Sequence, residues 1–199
     1  GRDQICLDGK ELILEQQIYY MLHKPAGYVS ATLDSRETTV MELLPEKCRR
    51  NCFPVGRLDK DSEGLLLLTN QGSLVNHIMR ARNFHEKEYL VTVDHPITED
   101  FLMHMRTGVP VLDTVTRPCQ VFAAGKCSFR IILTQGLNRQ IRRMCEALGY
   151  KVTKLVRIRI MNVELGSLKS GAVRKIEGQE LKKLYEQAGT HEGTGRAFE

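Results

Sequence analysis

Apolar residues occur in short runs that polar and glycine-containing stretches separate along most of the chain. The run Leu65 to Leu68 holds four leucines directly after Gly64, a pattern typical of a strand that is buried on both faces. Other runs alternate apolar with polar residues, which indicates strands with one exposed face. The predicted strands cover 18–22, 65–68, 88–93, 109–115, 119–123, 128–134 and 156–160.

Further segments space their apolar residues three or four positions apart, which predicts helices with one buried face. The clearest begins near Asn138 and ends at Gly149, a residue type that often closes a helix. Its apolar stripe consists of Ile141, Met144, Cys145 and Leu148. The predicted helices cover 40–44, 74–79, 98–106, 138–148 and 179–187.

Helices and strands alternate irregularly along the chain, without repeated β-α-β units. This order predicts an α+β domain with a mixed, largely antiparallel sheet. Because no long linker divides the chain, we expect two lobes that share one sheet over 17–188. A short preceding segment, 1–16, and a polar tail, 189–199, flank the predicted domain.

Composition narrows the class of protein. A hydrophobic content of 42% supports a real core, and the formal net charge of +5 favours an anionic partner such as nucleic acid. The six cysteines lack a CxxC pair and regular spacing, which favours a reducing compartment and no metal site. No apolar run is long enough to cross a bilayer, and the first residues do not resemble a signal peptide. We therefore expect a soluble, cytoplasmic protein without a membrane partner.

A group of charged residues stands directly before the leucine run, between Gly56 and Gly64. In an extended backbone Arg57 and Asp59 point to one side, and Leu58 points into the core. Charges packed against a buried strand need a reason, which a functional site would supply. The alternative is a solvated turn with an incidental ion pair, since the tripeptide Arg-Leu-Asp alone is common.

Three arginines share one arc of the helix predicted from Asn138. Arg139, Arg142 and Arg143 lie opposite its apolar stripe, near the helix start, where free amides and the helix dipole also favour an anion. Arg142 lies at the edge of the arc, within reach of a cleft. An ordinary solvated basic face is the alternative, but no acidic residue interrupts these three.

Tyr89 lies among charged residues on a predicted strand. The common interpretation is a half-buried strand tyrosine. In a nucleotide pocket, the same side chain can stack on a base and exchange a proton through its hydroxyl.

Taken together, these segments resemble the RNA pseudouridine synthases of the RsuA type. The resemblance covers nearly the whole chain, and the combination is more specific than any one motif. It is carried by Lys24-Pro25-Ala26-Gly27, by the GRLD block within Pro54 to Asn70, by HEKEYLVTVD at 85–94, by LNRQIRRMCE at 137–146 and by RIRIMNV at 157–163. It implies the pseudouridine synthase fold, with a central catalytic cleft between two lobes.

The resemblance also implies roles for three residues. Asp59 is the expected nucleophile, Tyr89 the residue that stacks on the target base and takes part in proton removal, and Arg142 the partner of the catalytic carboxylate. A nearby guanidinium favours the ionised form of a carboxylate and orients it in a bidentate pair. The target uridine must leave its stack to reach such a site. Whether Asp59 attacks the sugar or the base stays open.

The expected partner is RNA, with ribosomal RNA of the large subunit favoured. Arg57 is expected to hold the vacated stack or the flipped nucleotide, and isomerisation requires neither a cofactor nor a metal. A monomer is expected. The further expected RNA contacts, mostly to phosphates, are Lys24, Lys60, Arg139, Arg143, Lys154, Arg157 and Arg159.

Relatives of this type usually begin with an S4-type RNA-binding module, and here 5–10 resembles only the end of one. Substrate affinity and site choice therefore stay open. The alternative RNA substrates are a tRNA anticodon loop and small-subunit ribosomal RNA. A non-catalytic RNA-binding protein of ribosome assembly is the alternative to an enzyme, and the presence of Asp59, Tyr89 and Arg142 argues against it.

Overall fold

A computed structural model of the chain describes residues 6–7, 10–11, 17–79 and 84–189. Of the expected S4-type fragment 5–10 the structure describes 6–7 and 10, and the polar tail beyond residue 189 lies outside the described residues. The helical elements are the 3-10 helix η1 (Val40–Leu43), α1 (Glu46–Arg49), α2 (Gly72–Met79), α3 (Glu99–Thr107), α4 (Gln140–Ala147) and α5 (Gly178–Ala188). The strands are β1 (Cys6–Leu7), β2 (Lys10–Glu11), β3 (Tyr19–Lys24), β4 (Phe53–Val55), β5 (Glu63–Thr69), β6 (Lys87–Val93), β7 (Pro110–Val111), β8 (Thr114–Val115), β9 (Gln120–Gly125), β10 (Ser128–Leu133), β11 (Val152–Ile160), β12 (Val163–Glu164) and β13 (Val173–Lys175).

One sheet organises the fold, in the strand order β13-β3-β5-β11-β6-β10-β9, with β4 paired to β5 and β12 paired to β11. Its strand pairs are antiparallel except for β5 and β11, which run parallel. The prediction of an α+β domain with a largely antiparallel sheet is confirmed. None of the helices in the described residues is long and apolar enough to span a membrane.

The parallel pair joins the two halves of the sheet over a short register, Val156 with Glu63 and Arg157 with Gly64. Gly64 has a φ of 108°, and a Cβ atom built there would lie 2.3 Å from the carbonyl oxygen of Arg157. A glycine is therefore required where the two halves meet. One hydrophobic core packs α3 and α4 against β6, β10 and β11, and separate cores cover the two faces of β3 and β5.

Several predicted boundaries differ from the structure. The predicted strand 109–115 is a hairpin of two short strands, β7 and β8, because Leu112 adopts a left-handed φ of 53°. The first predicted strand extends to Lys24, so this lysine belongs to β3 and not to the following loop. The leucine run is β5, and its leucines are buried, as predicted.

Apolar and Arg residues alternate over 156–160, which predicts that Arg157 and Arg159 share one face of the strand, and this prediction is wrong. The pairing of β11 with β6 shifts between these two residues, so that Arg157 lies opposite Tyr89 and Arg159 lies opposite Glu88. Because Tyr89 and Glu88 are neighbours on β6, they point to opposite faces of the sheet. A β-bulge therefore separates two arginines that strict alternation would place together.

Candidate active site

A cleft of about 430 Å³ opens beside the junction of the two sheet halves. Three parts of the chain form its walls: the loop between β4 and β5, the β6 and β11 face that carries Tyr89, and the segment that leads into α4. Of the candidate residues, those that line the cleft are Arg57, Asp59, Tyr89, Arg139, Arg142 and Arg157. Those that do not are Lys24, Lys60, Arg143, Lys154 and Arg159.

Asp59 lies in the β4-β5 loop with its side chain 35% exposed. The loop is fixed on both sides of it. The preceding Leu58 is buried, and its backbone N–H and carbonyl both hydrogen-bond the Ser30 hydroxyl, at 3.1 and 2.9 Å. The following turn closes through a hydrogen bond from the Ser62 amide to the Asp59 carbonyl oxygen, at 3.0 Å. The carboxylate thus faces the cleft from a fixed backbone.

Lys24 holds this loop from below. Its side chain is fully buried, and its ammonium group donates to the carbonyl oxygens of Pro25, Asp59, Lys60 and Ser62, at 2.7 to 3.3 Å. Burial lowers the pKa of Lys24 to about 8, against the opposing effect of Asp61 and Asp59. The predicted RNA contact of Lys24 is wrong, because a fully buried ammonium that binds backbone carbonyls cannot reach a phosphate.

Arg139 and Arg142 approach the loop from α4. Arg139 makes a bidentate pair with Asp61, at 3.1 and 2.9 Å, and its Nη1 lies 3.5 Å from Oδ2 of Asp59. Arg142 donates to the Asp61 carbonyl oxygen and the Ser62 hydroxyl, at 3.1 and 3.2 Å, and forms an ion pair with the Asp61 carboxylate at 3.4 Å. In the structure, Arg139 and not the predicted Arg142 is the arginine in ion-pair contact with Asp59.

The difference has a local cause in the chain. Arg139 precedes α4 with a left-handed φ of 49°, a conformation that is costly for a non-glycine residue, and this turns its side chain toward the loop. The hydrogen bond from Arg139 holds the pKa of Asp61 below its ordinary value, with further help from the charge of Arg142. Asp61 therefore stays ionised as the anchor of both arginines and leaves the exposed part of Asp59 open to the cleft.

Arg157 supports the floor of the cleft. Its side chain is 3% exposed, and it donates from Nε to the Leu65 carbonyl oxygen at 2.7 Å and from Nη1 to the Arg57 carbonyl oxygen at 3.5 Å. It thereby links β11 to β5 and to the β4-β5 loop. The predicted phosphate contact of Arg157 is wrong, because its guanidinium is sealed inside the protein.

The remaining basic candidates occupy the outer surface. Arg159 is paired with Glu86 and Glu88, at 3.0 and 2.9 Å, on the sheet face that turns away from Tyr89, so its predicted phosphate contact is not supported. Lys60 and Lys154 form partly exposed ion pairs with Glu37 and Glu63, at 2.6 and 3.6 Å. Arg143 bonds only to Asn138 among the described residues.

The model of the RNA pseudouridylate synthase family matches residues 18–147 of the chain. The chain belongs to this family. Its Asp59, Tyr89 and Arg142 all fall within the matched region, on three separate elements that meet at the cleft.

Curated members of the family resemble the chain over most of its length. It is 53% identical over 171 residues to the dual-specificity RNA pseudouridine synthase RluF of Escherichia coli K12, covering 86% of the chain and 58% of that protein. It is 32% identical to the ribosomal large subunit pseudouridine synthase B of Bacillus subtilis, covering 92% of the chain and 78% of that protein. The chain thus spans little more than half the length of the RluF relatives.

A solved member has the same fold. The crystal structure of a pseudouridylate synthase superposes with a TM-score of 0.81 at 30% sequence identity, covering 86% of this chain and 75% of the other. The expected pseudouridine synthase fold is therefore confirmed.

Two residues of this family member's site had no role assigned from the sequence. Asp61 is the anion that holds both arginines of α4, and Lys87 lines the cleft beside Tyr89. The alternation of β6 could have indicated Lys87, because residues two apart on a strand share a face. No local pattern distinguishes Asp61 from Asp59, since the choice depends on where α4 packs.

Proposed function

We propose that this chain isomerises uridine to pseudouridine in structured RNA, with Asp59 as the nucleophile. The observation that carries the proposal is the position of the Asp59 carboxylate in a cleft whose other walls hold Tyr89 and the arginines of α4. Membership of the family supports the same reaction. Large-subunit ribosomal RNA is the favoured substrate, since one relative is named for it.

The cleft suits a nucleotide that has left its helix. A uridine inside folded RNA cannot contact Asp59, so it must rotate out of its stack at a cost of a few kcal/mol. The face of Tyr89 offers replacement stacking for the flipped base. Arg57 is exposed at the mouth of the cleft, where it can contact the vacated position or the sugar-phosphate backbone.

The arginines of α4 prepare the nucleophile. Arg139 lies in ion-pair contact with Asp59 and favours the ionised carboxylate that nucleophilic attack requires. Arg142 fixes the backbone and the carboxylate of Asp61, two residues further on, and so fixes the loop that carries Asp59. In this proposal Arg142 acts on the nucleophile through the loop, and Arg139 acts on it directly.

The test is the substitution Asp59→Asn, which keeps the size of the side chain and removes its charge. We expect pseudouridine formation to fall by at least about 10⁴-fold, as losses of a nucleophile do, with RNA affinity nearly unchanged. Asp113→Asn, in the exposed turn between β7 and β8, is the matched control and should retain full activity.

Pseudouridine-specific mapping of ribosomal RNA and tRNA, incubated with each purified variant, measures the result. Wild-type activity on a tRNA anticodon loop or on small-subunit ribosomal RNA alone would replace the favoured substrate and keep the reaction. Full activity of the Asp59→Asn variant would contradict the mechanism, and an inactive wild-type protein that still binds RNA would favour a non-catalytic role.

A further inference from the structure

The inner wall of the cleft carries two cations beside Tyr89. Lys87 and Tyr89 lie two residues apart on β6 and share a face, and Arg157 lies directly opposite Tyr89 on β11. All three residues line the cleft. Among the described cleft residues the one carboxylate is Asp59, which already lies next to Arg139.

The protein does not fully compensate either of these two cations. Within the described residues, the Lys87 ammonium has no hydrogen bond or ion pair, and Nη2 of Arg157 is sealed from solvent without a partner. Burial lowers the pKa of Lys87 to about 8, and the charge of Arg157 adds to this effect. The inner wall therefore concentrates positive charge in a place where water gives little screening.

Lys24 shows how this fold satisfies a lysine that has only a structural role. Its pKa is also lowered to about 8, but four backbone carbonyl oxygens surround its ammonium group. Lys87 has a similar electrostatic cost without any such acceptor. A half-buried cation that lines a cleft without a protein acceptor is available to an acceptor that the ligand supplies.

The surroundings of Lys87 select a flat, neutral ring over a phosphate. Leu133 and Leu155 line the cleft and belong to the hydrophobic core against which Tyr89 packs, and a phosphate would lose its hydration against them. A uracil ring can stack on Tyr89 and still present its carbonyl oxygens at the edge. These oxygens accept hydrogen bonds, which is what an ammonium group requires.

The proposed reaction places negative charge on those oxygens by either route. If Asp59 attacks the sugar, a bond forms from its oxygen to C1′, the C1′–N1 bond breaks, and the electron pair stays on the uracil and spreads over O2 and O4. If Asp59 attacks C6 of the ring, the electron pair of the C5–C6 bond moves toward C5 and O4. On the sugar route, C5 then bonds to C1′ as the bond from C1′ to the Asp59 oxygen breaks. On the ring route, C5 bonds to C1′ as the C1′–N1 bond breaks, and the bond from C6 to the Asp59 oxygen breaks when C5 loses its proton. On both routes C5 loses a proton and N1 gains one, so that the ring ends neutral and the Asp59 carboxylate is regenerated.

We infer that Lys87 is a further catalytic residue, whose ammonium group binds a carbonyl oxygen of the flipped uracil and stabilises the negative charge that the ring acquires. Arg157 is the positioning residue behind it. Its guanidinium donates to the Arg57 carbonyl oxygen in the β4-β5 loop, and its charge adds to the positive electrostatic potential at Lys87. The inference rests on the proposed function and adds the group that stabilises the negative charge on the uracil ring.

The experiment compares Lys87→Met, Lys87→Arg and the control Lys126→Met, which lies in the exposed turn between β9 and β10. The substrate is a synthetic RNA that contains the uridine which the wild-type protein modifies, with uridine or 5-fluorouridine at that position. Single-turnover rate constants, RNA dissociation constants and thermal melting are measured for each. We expect Lys87→Met to slow conversion of uridine by about 100-fold, as loss of one donor to a developing charge does.

Three further results distinguish the inference from a structural role. The dissociation constant of Lys87→Met should stay near the wild-type value, and Lys87→Arg should recover at least about a tenth of the wild-type rate by keeping the charge. The loss of rate in Lys87→Met should be distinctly smaller for the rearrangement of 5-fluorouridine. The fluorinated ring is more acidic and therefore carries negative charge more readily without the ammonium group. Lys126→Met should match the wild-type protein in every measurement.

Each opposite result overturns the inference. A wild-type rate for Lys87→Met, an equal loss with both nucleotides without recovery by arginine, or a loss confined to RNA affinity would each exclude charge stabilisation by Lys87. If Lys87→Met does not fold, Lys87→Arg and Lys87→Gln replace it. An equal loss of the single-turnover rate with uridine and with 5-fluorouridine in both of these variants would then contradict the inference. If the wild-type protein forms no pseudouridine, the proposed function itself is contradicted, and this outcome is distinct from a failure of the inference about Lys87.

Discussion

The floor and the rim of the cleft use basic residues in different ways. At and directly beneath the base of the cleft, which we call its floor, Lys24 and Arg157 are buried and donate to backbone carbonyl oxygens of the β4-β5 loop and of β5. On the rim, Arg139 and Arg142 extend from the start of α4 to the carboxylate of Asp61. The floor fixes where the backbone runs, and the rim fixes where the acidic side chains point.

This difference determines what each region contributes to the candidate chemistry. A cation that binds carbonyls positions the loop in every state of the protein, since backbone dipoles do not change during a reaction. A cation that binds carboxylates next to an open cleft can also respond to the negative charge of an RNA ligand. The rim is therefore the place for direct effects on rate, and the floor is the place for effects that combine rate with stability.

The largest difference between the two rim arginines should appear on removal of Arg142. Arg142→Ala breaks its contacts with the Asp61 backbone, the Ser62 hydroxyl and Val152 together, and should lower the single-turnover rate by about 10³-fold. Arg139→Ala leaves Asp61 partly held by Arg142 and should cost about tenfold. A greater loss for Arg139→Ala would show that direct contact with Asp59 dominates over the placement of its loop.

The floor should respond in two measurements at once. Lys24→Met leaves four carbonyl oxygens without their donor, so the free energy of unfolding should fall by about 1–3 kcal/mol. The single-turnover rate should fall by about 100-fold in the protein that remains folded, because a small displacement of Asp59, the proposed nucleophile, has an effect of that size. Denaturant unfolding and single-turnover assays on the same sample give both values.

The pH dependence identifies the contribution of this lysine. The pKa of Lys24 is about 8 in the folded protein, against 10.5 for an ordinary lysine side chain in the unfolded chain. Between these two pH values Lys24 is protonated in the unfolded chain more than in the folded protein, so its contribution to the free energy of unfolding rises with pH. Lys24→Met should reduce this rise. Lys87, whose folded pKa is also about 8, contributes in the same direction, and the thiols of Cys52, Cys119 and Cys145, whose pKa values are raised by burial, contribute in the opposite direction. The exposed Lys60→Met should keep the wild-type slope, and an unchanged slope in Lys24→Met would exclude the buried ammonium as its source.

The contrast between floor and rim also marks the limit of sequence-based prediction. The leucine run at 65–68 and the apolar stripe of α4 were predicted, because burial follows directly from their periodicity. The Arg-Leu-Asp segment was recognised as a candidate site because its charges stand directly before this buried strand, where charges are uncommon.

Lys24, Arg157 and Arg159 show why the rest could not be predicted. All three looked like phosphate ligands, because a basic residue in sequence carries its charge but not its burial. Lys24 is covered by a loop that lies 35 to 38 residues further along the chain, and Arg157 is separated from Arg159 by a bulge in the pairing with β6. Contacts between such distant segments depend on the assembled sheet and have no local pattern.

The smallest expected effect concerns Arg143, which lies beyond the rim and does not line the cleft. Its guanidinium contacts the Asn138 carbonyl and side-chain oxygens, at 3.1 and 3.3 Å, and retains donors for an RNA phosphate. Arg143→Ala should weaken RNA binding by about threefold to tenfold and reduce the slope of log affinity against log salt by about one, without a change in the single-turnover rate at saturation. Filter binding over a salt series measures the slope. If the slope is unchanged and the rate falls, Arg143 belongs with the rim arginines that organise the nucleophile loop, and RNA contacts must be sought among the exposed Arg57 and Lys60.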